Sequence, residues 1–192
     1  MAVDAFVFDV GETLVDETNM WIRVAEASGV TPFTLMAGLG ATIARGLPHD
    51  AVWELLGTEQ VDGTWTAGDW YPDARPCLER LRADGYRVYA SGNTPASVED
   101  DLRPLVDGVG SSASWDVQKP AAAFFARVAE LAGSPPERIA YVGDRVDNDI
   151  APALAAGMTA VHIRRGPWGF LQQPPAGAIR IESLDELPAA LP

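Results

Sequence analysis

The regular alternation of short apolar segments with helical segments, from residue 72 onward, constrains the fold most. Glycines such as Gly85, Gly133 and Gly157 end the helical stretches. Strands are predicted at residues 5–10, 87–91, 106–112, 139–142, 159–163 and 179–181, and helices at 74–83, 95–103, 121–132, 150–156 and 184–191. Repeated strand–helix units require right-handed crossovers and a mostly parallel sheet covered on both faces. The sequence therefore predicts an α/β fold with a Rossmann-like, three-layer, doubly wound parallel sheet.

Residues 16–71 interrupt this alternation with a helical pattern. Trp21, Val24 and Ala25 stand at helical spacing, and Thr31-Pro32 is typical of a helix start, with threonine as the cap and proline in the first turn. The segment contains no convincing strand. We therefore predict a small α-helical insertion at 16–71, after the first strand, and a core formed by residues 1–15 and 72–192.

Composition limits the classes of partner. The chain has 192 residues, 47% of them apolar, and a formal net charge of −13. Such an acidic protein is a poor partner for nucleic-acid backbones or anionic membranes. The lone Cys77 cannot form an intrachain disulfide, and neither a signal peptide nor a transmembrane segment is recognisable. We expect a cytoplasmic protein that binds neither nucleic acid nor membrane; the sequence leaves its oligomeric state open.

Asp9 ends the first apolar run and is followed by Gly11. In open parallel sheets, ligands bind beyond the carboxyl ends of the strands. A carboxylate at such an end is costly unless it has a partner. Asp9 therefore fits a nucleophile or a metal ligand, and the alternative is a loop aspartate that caps a helix.

Two further segments have the composition of anion-binding loops. The segment 91–94, Ser-Gly-Asn-Thr, follows a predicted strand, and its small residues allow backbone N–H groups to approach an anion. Lys119 precedes Pro120 at a helix start, where a cation is unfavourable unless an anion compensates it. The alternatives are a simple turn and an exposed surface lysine.

An acidic cluster follows the predicted strand 139–142. Asp144 and Asp149 could meet at one hard cation, because carboxylate oxygens are the ligands that Mg²⁺ prefers. The alternative is a solvated acidic loop. The spacing does not match a helix–loop–helix calcium site.

In their order and spacing, these four segments resemble the haloacid dehalogenase-like hydrolase superfamily over essentially the whole chain. The resemblance implies that Asp9 attacks phosphorus to form an aspartyl-phosphate, which water then hydrolyses. It implies Mg²⁺ bound by Asp9, the Gly11 carbonyl, Asp144 and Asp149. It also implies that Lys119 neutralises the nucleophile and the phosphoryl oxygens.

The resemblance extends to the substrate site and to the insertion. It implies substrate contacts from Gly92, Asn93 and Lys119, and a small phosphorylated or other anionic metabolite as the partner. It identifies the insertion 16–71 as a small helical cap, and the segment 183–187 resembles the usual last helix of the family.

Two departures from the family pattern keep other functions open. Family phosphatases carry a second aspartate, the general acid and base, where this chain has Gly11; Glu12 is adjacent but starts from a different backbone position. The second motif places Gly92 where a serine or threonine is usual, unless a shift of one residue brings Ser91 into that slot. The alternatives are a 2-haloacid dehalogenase or carbon–phosphorus hydrolase, and a regulatory protein without turnover.

Overall fold

A computed structural model describes residues 3–66 and 68–191. Its centre is a parallel six-stranded sheet with the strand order β3-β2-β1-β4-β5-β6. The strands are β1 (Ala5–Phe8), β2 (Arg87–Gly92), β3 (Gly108–Ser111), β4 (Ile139–Gly143), β5 (Thr159–Ile163) and β6 (Ile179–Ile181). The order changes direction between β1 and β4, and a ligand site is expected beside such a switch point.

Helices cover both faces of the sheet. They are α1 (Thr18–Ala27), α2 (Pro32–Ala44), α3 (Ala51–Leu56), α4 (Ala74–Ala83), α5 (Ser97–Leu102), α6 (Ser112–Trp115), α7 (Ala122–Ala132), α8 (Ala151–Ala155) and α9 (Gly166–Leu171). Within β1, Phe6 and Phe8 enter one apolar cluster, whereas Ala5 and Val7 enter another on the opposite face. The three-layer α/β prediction is therefore confirmed.

Helices α1 to α3 form a third apolar cluster. Its buried members are Met20, Val24, Ala25, Leu35, Leu39, Ile43, Val52, Trp53 and, from α9, Trp168. The two connections to the rest of the chain run side by side, because Val15 forms an antiparallel bridge with Trp70 and the Tyr71 N–H donates to the Leu14 carbonyl at 3.0 Å. Thr31 caps α2 by accepting a hydrogen bond from the Thr34 N–H, as the sequence predicts.

The C-terminal segment differs from its prediction. Instead of a helix over 184–191, the chain forms a short 3₁₀ turn, Leu184–Glu186, that is capped by Ser183. Pro188 has no N–H to continue a helix, which explains the early end. The predicted strand 106–112 is shortened to β3 and runs directly into α6. Helix α9 is an element that the sequence analysis did not identify.

Within the described residues, no single helix is long and apolar enough to cross a membrane. Helices α1 and α2 together meet the length and composition, but they bend by 110° at their junction.

Candidate active site

Asp9 lies directly beyond the carboxyl end of β1. Its backbone N–H donates to the Val142 carbonyl at 2.8 Å, which ties the residue to the neighbouring strand β4. The Lys119 Nζ donates to Asp9 Oδ1 at 2.6 Å. Both side chains are almost fully buried. The carboxylate is therefore held in a charge pair and does not cap a helix.

Three buried carboxylates converge at this point. Ligand oxygens of Asp9, Asp144 and Asp149 all lie within 4.8 Å of one another. A π-helical turn, Val146–Ile150, brings Asp149 back to the sheet, where its Oδ2 accepts the Arg145 N–H at 3.0 Å. The predicted metal ligands with side chains are thus assembled from two strand ends, and Gly11 lines the same cavity.

The charges of this cluster do not balance. Lys119 pairs with Asp9 and with Asp149, both at 2.6 Å, whereas Asp144 Oδ2 is buried and accepts no hydrogen bond from any described residue. Burial, together with repulsion by Asp149 and Asp9, raises the pKa of Asp144 well above its usual range. Burial is also the main cause that raises the pKa of Asp149, to about 6. A divalent cation fits this donor set, because it would satisfy the orphaned oxygen and compensate the excess negative charge.

Lys119 is positioned by Asn93. The Asn93 Nδ2 donates to the Lys119 carbonyl at 3.0 Å, and Asn93 Oδ1 accepts the Lys119 N–H at 2.8 Å. Although burial opposes charge on the ammonium group, Asp149 and Asp9 raise the pKa of Lys119 well above its ordinary value. The predicted substrate contact of Asn93 stays a prediction; the contact that the structure shows is with the Lys119 backbone.

Gly92 faces Asp9, and Ser91 does not. A Cβ built on Gly92 would lie 2.8 Å from Asp9 Oδ1. Ser91 is fully buried, and its Oγ has no hydrogen-bond partner among the described residues. Ser91 does not line the cavity, and the position that faces the Asp9 carboxylate is Gly92.

Glu12 is adjacent to the missing acid, yet it is already engaged. Its Oε2 accepts the Tyr71 hydroxyl at 2.6 Å and its Oε1 accepts the Glu17 N–H at 3.0 Å. The backbone has a φ of 50° at Glu12, an uncommon left-handed conformation that turns the side chain toward Tyr71. Burial raises the pKa of Glu12.

Sequence reasoning missed Glu17, which immediately precedes α1 and lines the cavity together with Asp9. Its Oε2 accepts the Trp21 Nε1–H at 3.3 Å. Burial, reinforced by the charge of Glu12, raises the pKa of Glu17 to about 8. The sequence marks Glu17 only as the start of a helical pattern, and no local signal shows that this start lies against Gly11.

A cavity of about 880 Å³ opens above these residues. Its floor includes Asp9 and Asp144, which follow strands β1 and β4, and Lys119 from the loop between α6 and α7. Residues of the insertion form the opposite wall. Arg145 and His49 also line it, and the Arg145 guanidinium lies 4.7 Å from the centre of the Trp168 ring.

A family model, described as a haloacid dehalogenase-like hydrolase, matches residues 3–157. The glyceraldehyde 3-phosphate phosphatase of Methanopyrus kandleri is 38% identical over 104 residues, which cover 51% of this chain and 45% of that protein. The glyceraldehyde 3-phosphate phosphatase of Methanocaldococcus jannaschii is 34% identical over 61% of this chain and 54% of that protein. The chain thus spans about half the length of these curated relatives.

The fold agrees with this family. The crystal structure of an HAD phosphatase from Thermococcus onnurineus superimposes with a TM-score of 0.64 at 22% identity, over 100% of this chain and 98% of that one. The family model covers well over half of the chain and includes Asp9, Lys119 and Asp144. This chain therefore belongs to the haloacid dehalogenase-like hydrolases.

Proposed function

We propose that this protein hydrolyses a small phosphomonoester through an aspartyl-phosphate on Asp9, with Mg²⁺ as cofactor. The observation that carries the proposal is the buried group of Asp9, Asp144 and Asp149, whose only close cation among the described residues is Lys119. Phosphoryl transfer requires positioning and charge neutralisation above all, and this cluster supplies both. The names of the two phosphatase relatives point to the same chemistry.

Each side chain has a defined part in this reaction. Asp9 attacks phosphorus through a carboxylate oxygen, and Lys119 aligns that carboxylate and binds the phosphoryl oxygens. Asn93 fixes the backbone of Lys119, and Gly92 leaves room beside Asp9 for the phosphoryl group. A Mg²⁺ ion held by Asp9, Asp144, Asp149 and the Gly11 carbonyl would neutralise the negative charge of the transferring group.

The insertion provides the substrate side of the cavity. We assign residues 16–71 as the cap and residues 1–15 with 72–192 as the core, because the buried members of the third apolar cluster come from α1 to α3, with Trp168 of α9 as the exception. A phosphorylated or other anionic metabolite is the expected partner, and Lys119 and Arg145 supply positive charge to the cavity of a chain with net charge −13. Glyceraldehyde 3-phosphate is the first ester to test, since both relatives are named for it.

The test is a panel of phosphate esters assayed with Mg²⁺, for the wild type and for Asp9→Asn. We expect phosphate release by the wild type, its loss with EDTA, and its loss in the variant. Equal release by both proteins would refute the proposal. Halide release from 2-haloacids without metal would favour a dehalogenase, and Mg²⁺ binding with no hydrolysis of any ester would favour a regulatory role.

A further inference from the structure

The absence of a side chain at Gly11 leaves a gap beside the nucleophile, and the carboxylate of Glu17 fills that gap. We propose that Glu17 is the general acid and base of this enzyme, contributed by the insertion instead of by the loop after β1. The inference rests on the proposed phosphatase function and assigns the one role that the residues around Asp9 leave vacant.

The position of Glu17 carries the argument. A Cβ built on Gly11 would lie 2.9 Å from Glu17 Cδ, 3.5 Å from its Oε2 and closer still to its Oε1. The carboxylate therefore occupies the space into which any side chain at position 11 would extend. Glu17 and Asp9 line the same cavity, so the carboxylate is open to a bound substrate.

Three contacts hold Glu17 in place. Tyr71 binds Glu12, and Glu12 accepts the Glu17 N–H at 3.0 Å, which fixes the backbone. Trp21 donates to Glu17 Oε2 at 3.3 Å, which fixes the carboxylate. No described residue donates to Oε1, the oxygen that points toward Gly11. Oε1 is therefore available to carry a proton and to exchange it with the substrate.

Glu12 is excluded from this role by its own contacts. Both of its oxygens accept hydrogen bonds, one from Tyr71 and one from Glu17. A Cβ built on Gly166 would lie 2.5 Å from Glu12 Oε2, so the carboxylate points toward the start of α9. Although Glu12 also lines the cavity, both of its oxygens are engaged, and it positions Glu17, whose Oε1 lies against Gly11.

The proton transfers balance over one cycle. An Asp9 oxygen attacks phosphorus, the bond from phosphorus to the ester oxygen breaks, and that oxygen takes the proton of the Glu17 carboxyl to leave as an alcohol. Water then attacks the aspartyl-phosphate and gives a proton to the Glu17 carboxylate. The bond from the Asp9 oxygen to phosphorus breaks, and inorganic phosphate leaves. Asp9 is then again a free carboxylate, and Glu17 is again protonated.

The decisive experiment compares two leaving groups in Glu17→Gln. An alkyl phosphate needs a proton on its departing oxygen, whereas the phenolate of 4-nitrophenyl phosphate leaves without one. We expect the alkyl ester to lose about 100- to 10,000-fold in kcat, the usual contribution of general acid–base catalysis. With the aryl ester, the first equivalent of nitrophenolate should appear in a burst at the wild-type rate. Slow turnover should follow, because the variant has no carboxylate at position 17 to accept a proton from the water that hydrolyses the aspartyl-phosphate.

Controls separate this role from a structural one. Glu26→Gln removes an exposed charge from α1, the helix that Glu17 precedes, and should leave the rates with both substrates unchanged. A fall in alkyl turnover and in the aryl burst by the same factor in Glu17→Gln would overturn the proposal, and so would no fall in either. If wild-type hydrolysis does not depend on Asp9, the proposed function fails, and this inference fails with it.

A second pair of variants tests whether positions 11 and 17 serve one purpose. Gly11→Asp alone would collide with Glu17, so it does not report on the missing acid. In Glu17→Ala the space is free, and Glu17→Ala with Gly11→Asp should regain at least about tenfold in alkyl-ester turnover over Glu17→Ala. The absence of any gain would overturn the assignment.

Discussion

Replacing Asp144 by asparagine should stabilise the protein in the absence of metal while abolishing its response to Mg²⁺. Asp144 is fully buried, its Oδ2 has no partner among the described residues, and two other carboxylates lie beside it. Asparagine has nearly the same size but no charge. The substitution therefore removes repulsion without leaving a cavity.

The magnitude follows from the geometry. The ligand oxygens all lie within 4.8 Å of one another, and at 4.8 Å two negative charges repel by about 3.5 kcal/mol at an effective dielectric constant of about 20. Because Asp144 has two such neighbours at this distance or less, the repulsion before any compensation is at least about 7 kcal/mol. The charge of Lys119 offsets part of this, and proton uptake by Asp144 relieves more, since its pKa is raised. We expect a gain of about 2 kcal/mol, or about 4–8 °C in Tm for a chain of this size.

The dependence of stability on pH provides an independent test of whether Asp144→Asn stabilises the protein. A carboxyl whose pKa is raised in the folded state makes the protein less stable as the pH rises above the pKa of the unfolded state, about 3.9 for aspartate. The advantage of Asp144→Asn in EDTA should therefore grow with pH until the folded pKa is passed.

Thermal unfolding in EDTA and in Mg²⁺ provides the assay. Mg²⁺ at about 100 times its dissociation constant should stabilise the wild type by about 2.7 kcal/mol and should leave Asp144→Asn unchanged. Glu79→Gln, which removes an exposed charge from α4, is the control and should not change Tm in either condition. A less stable Asp144→Asn in EDTA, or an undiminished Mg²⁺ response, would refute the account of the cluster.

Two further predictions concern Gly92, which faces the nucleophile, and Asp73, which binds the C-terminal segment at Ser183 and Leu184. Gly92→Ala should lower kcat by up to about a hundredfold with little change in Tm, because its methyl group would displace the Asp9 carboxylate. Steady-state kinetics and a thermal melting curve measure the two quantities. An unchanged kcat would contradict this prediction. Asp73→Asn should cost about 2 kcal/mol at neutral pH, since Asp73 accepts hydrogen bonds from Arg165, Ser183 and the Leu184 N–H. Burial opposes this charge, but the bonds from Arg165 and Leu184 outweigh it and lower the pKa of Asp73. The deficit should therefore begin to shrink below about pH 4 and should disappear as the pH falls through the lowered folded pKa. Denaturant titrations at several pH values measure this, and a deficit that persists in acid would rule out the charge as its cause.

Apolar runs ending in polar residues were sufficient to predict the sheet and the residues at its carboxyl edge. Strands β1 and β4 are continuous apolar segments, and in a parallel sheet their ends must meet at one edge. This topology brings Asp9 and Asp144 to the same edge, in agreement with the shared metal site that the family resemblance implies for them. Strand β3 was predicted poorly, because Gly108 and Gly110 give it no apolar pattern; a Cβ built on Gly110 would overlap the ring of Trp115 from α6.

Contacts between the insertion and the core could not be predicted in the same way. Nothing local to Glu17 indicates that its carboxylate meets Gly11, since the contact depends on how α1 is oriented over the sheet. Adjacency in the sequence is the only ground on which Glu12 is a candidate for the missing acid. Its left-handed backbone, visible only in three dimensions, turns it toward Tyr71.

Trp168 packs among the buried side chains of α1 to α3, although it follows the last residue of the family-model match, 157. Three residues earlier, Arg165 binds the Thr13 carbonyl and Asp73, next to the two connections of the insertion. A segment outside the residues matched by the family model thus forms part of the wall of the cavity above Asp9. A substitution in this segment can therefore change the shape of the cavity without touching Asp9, Lys119 or Asp144.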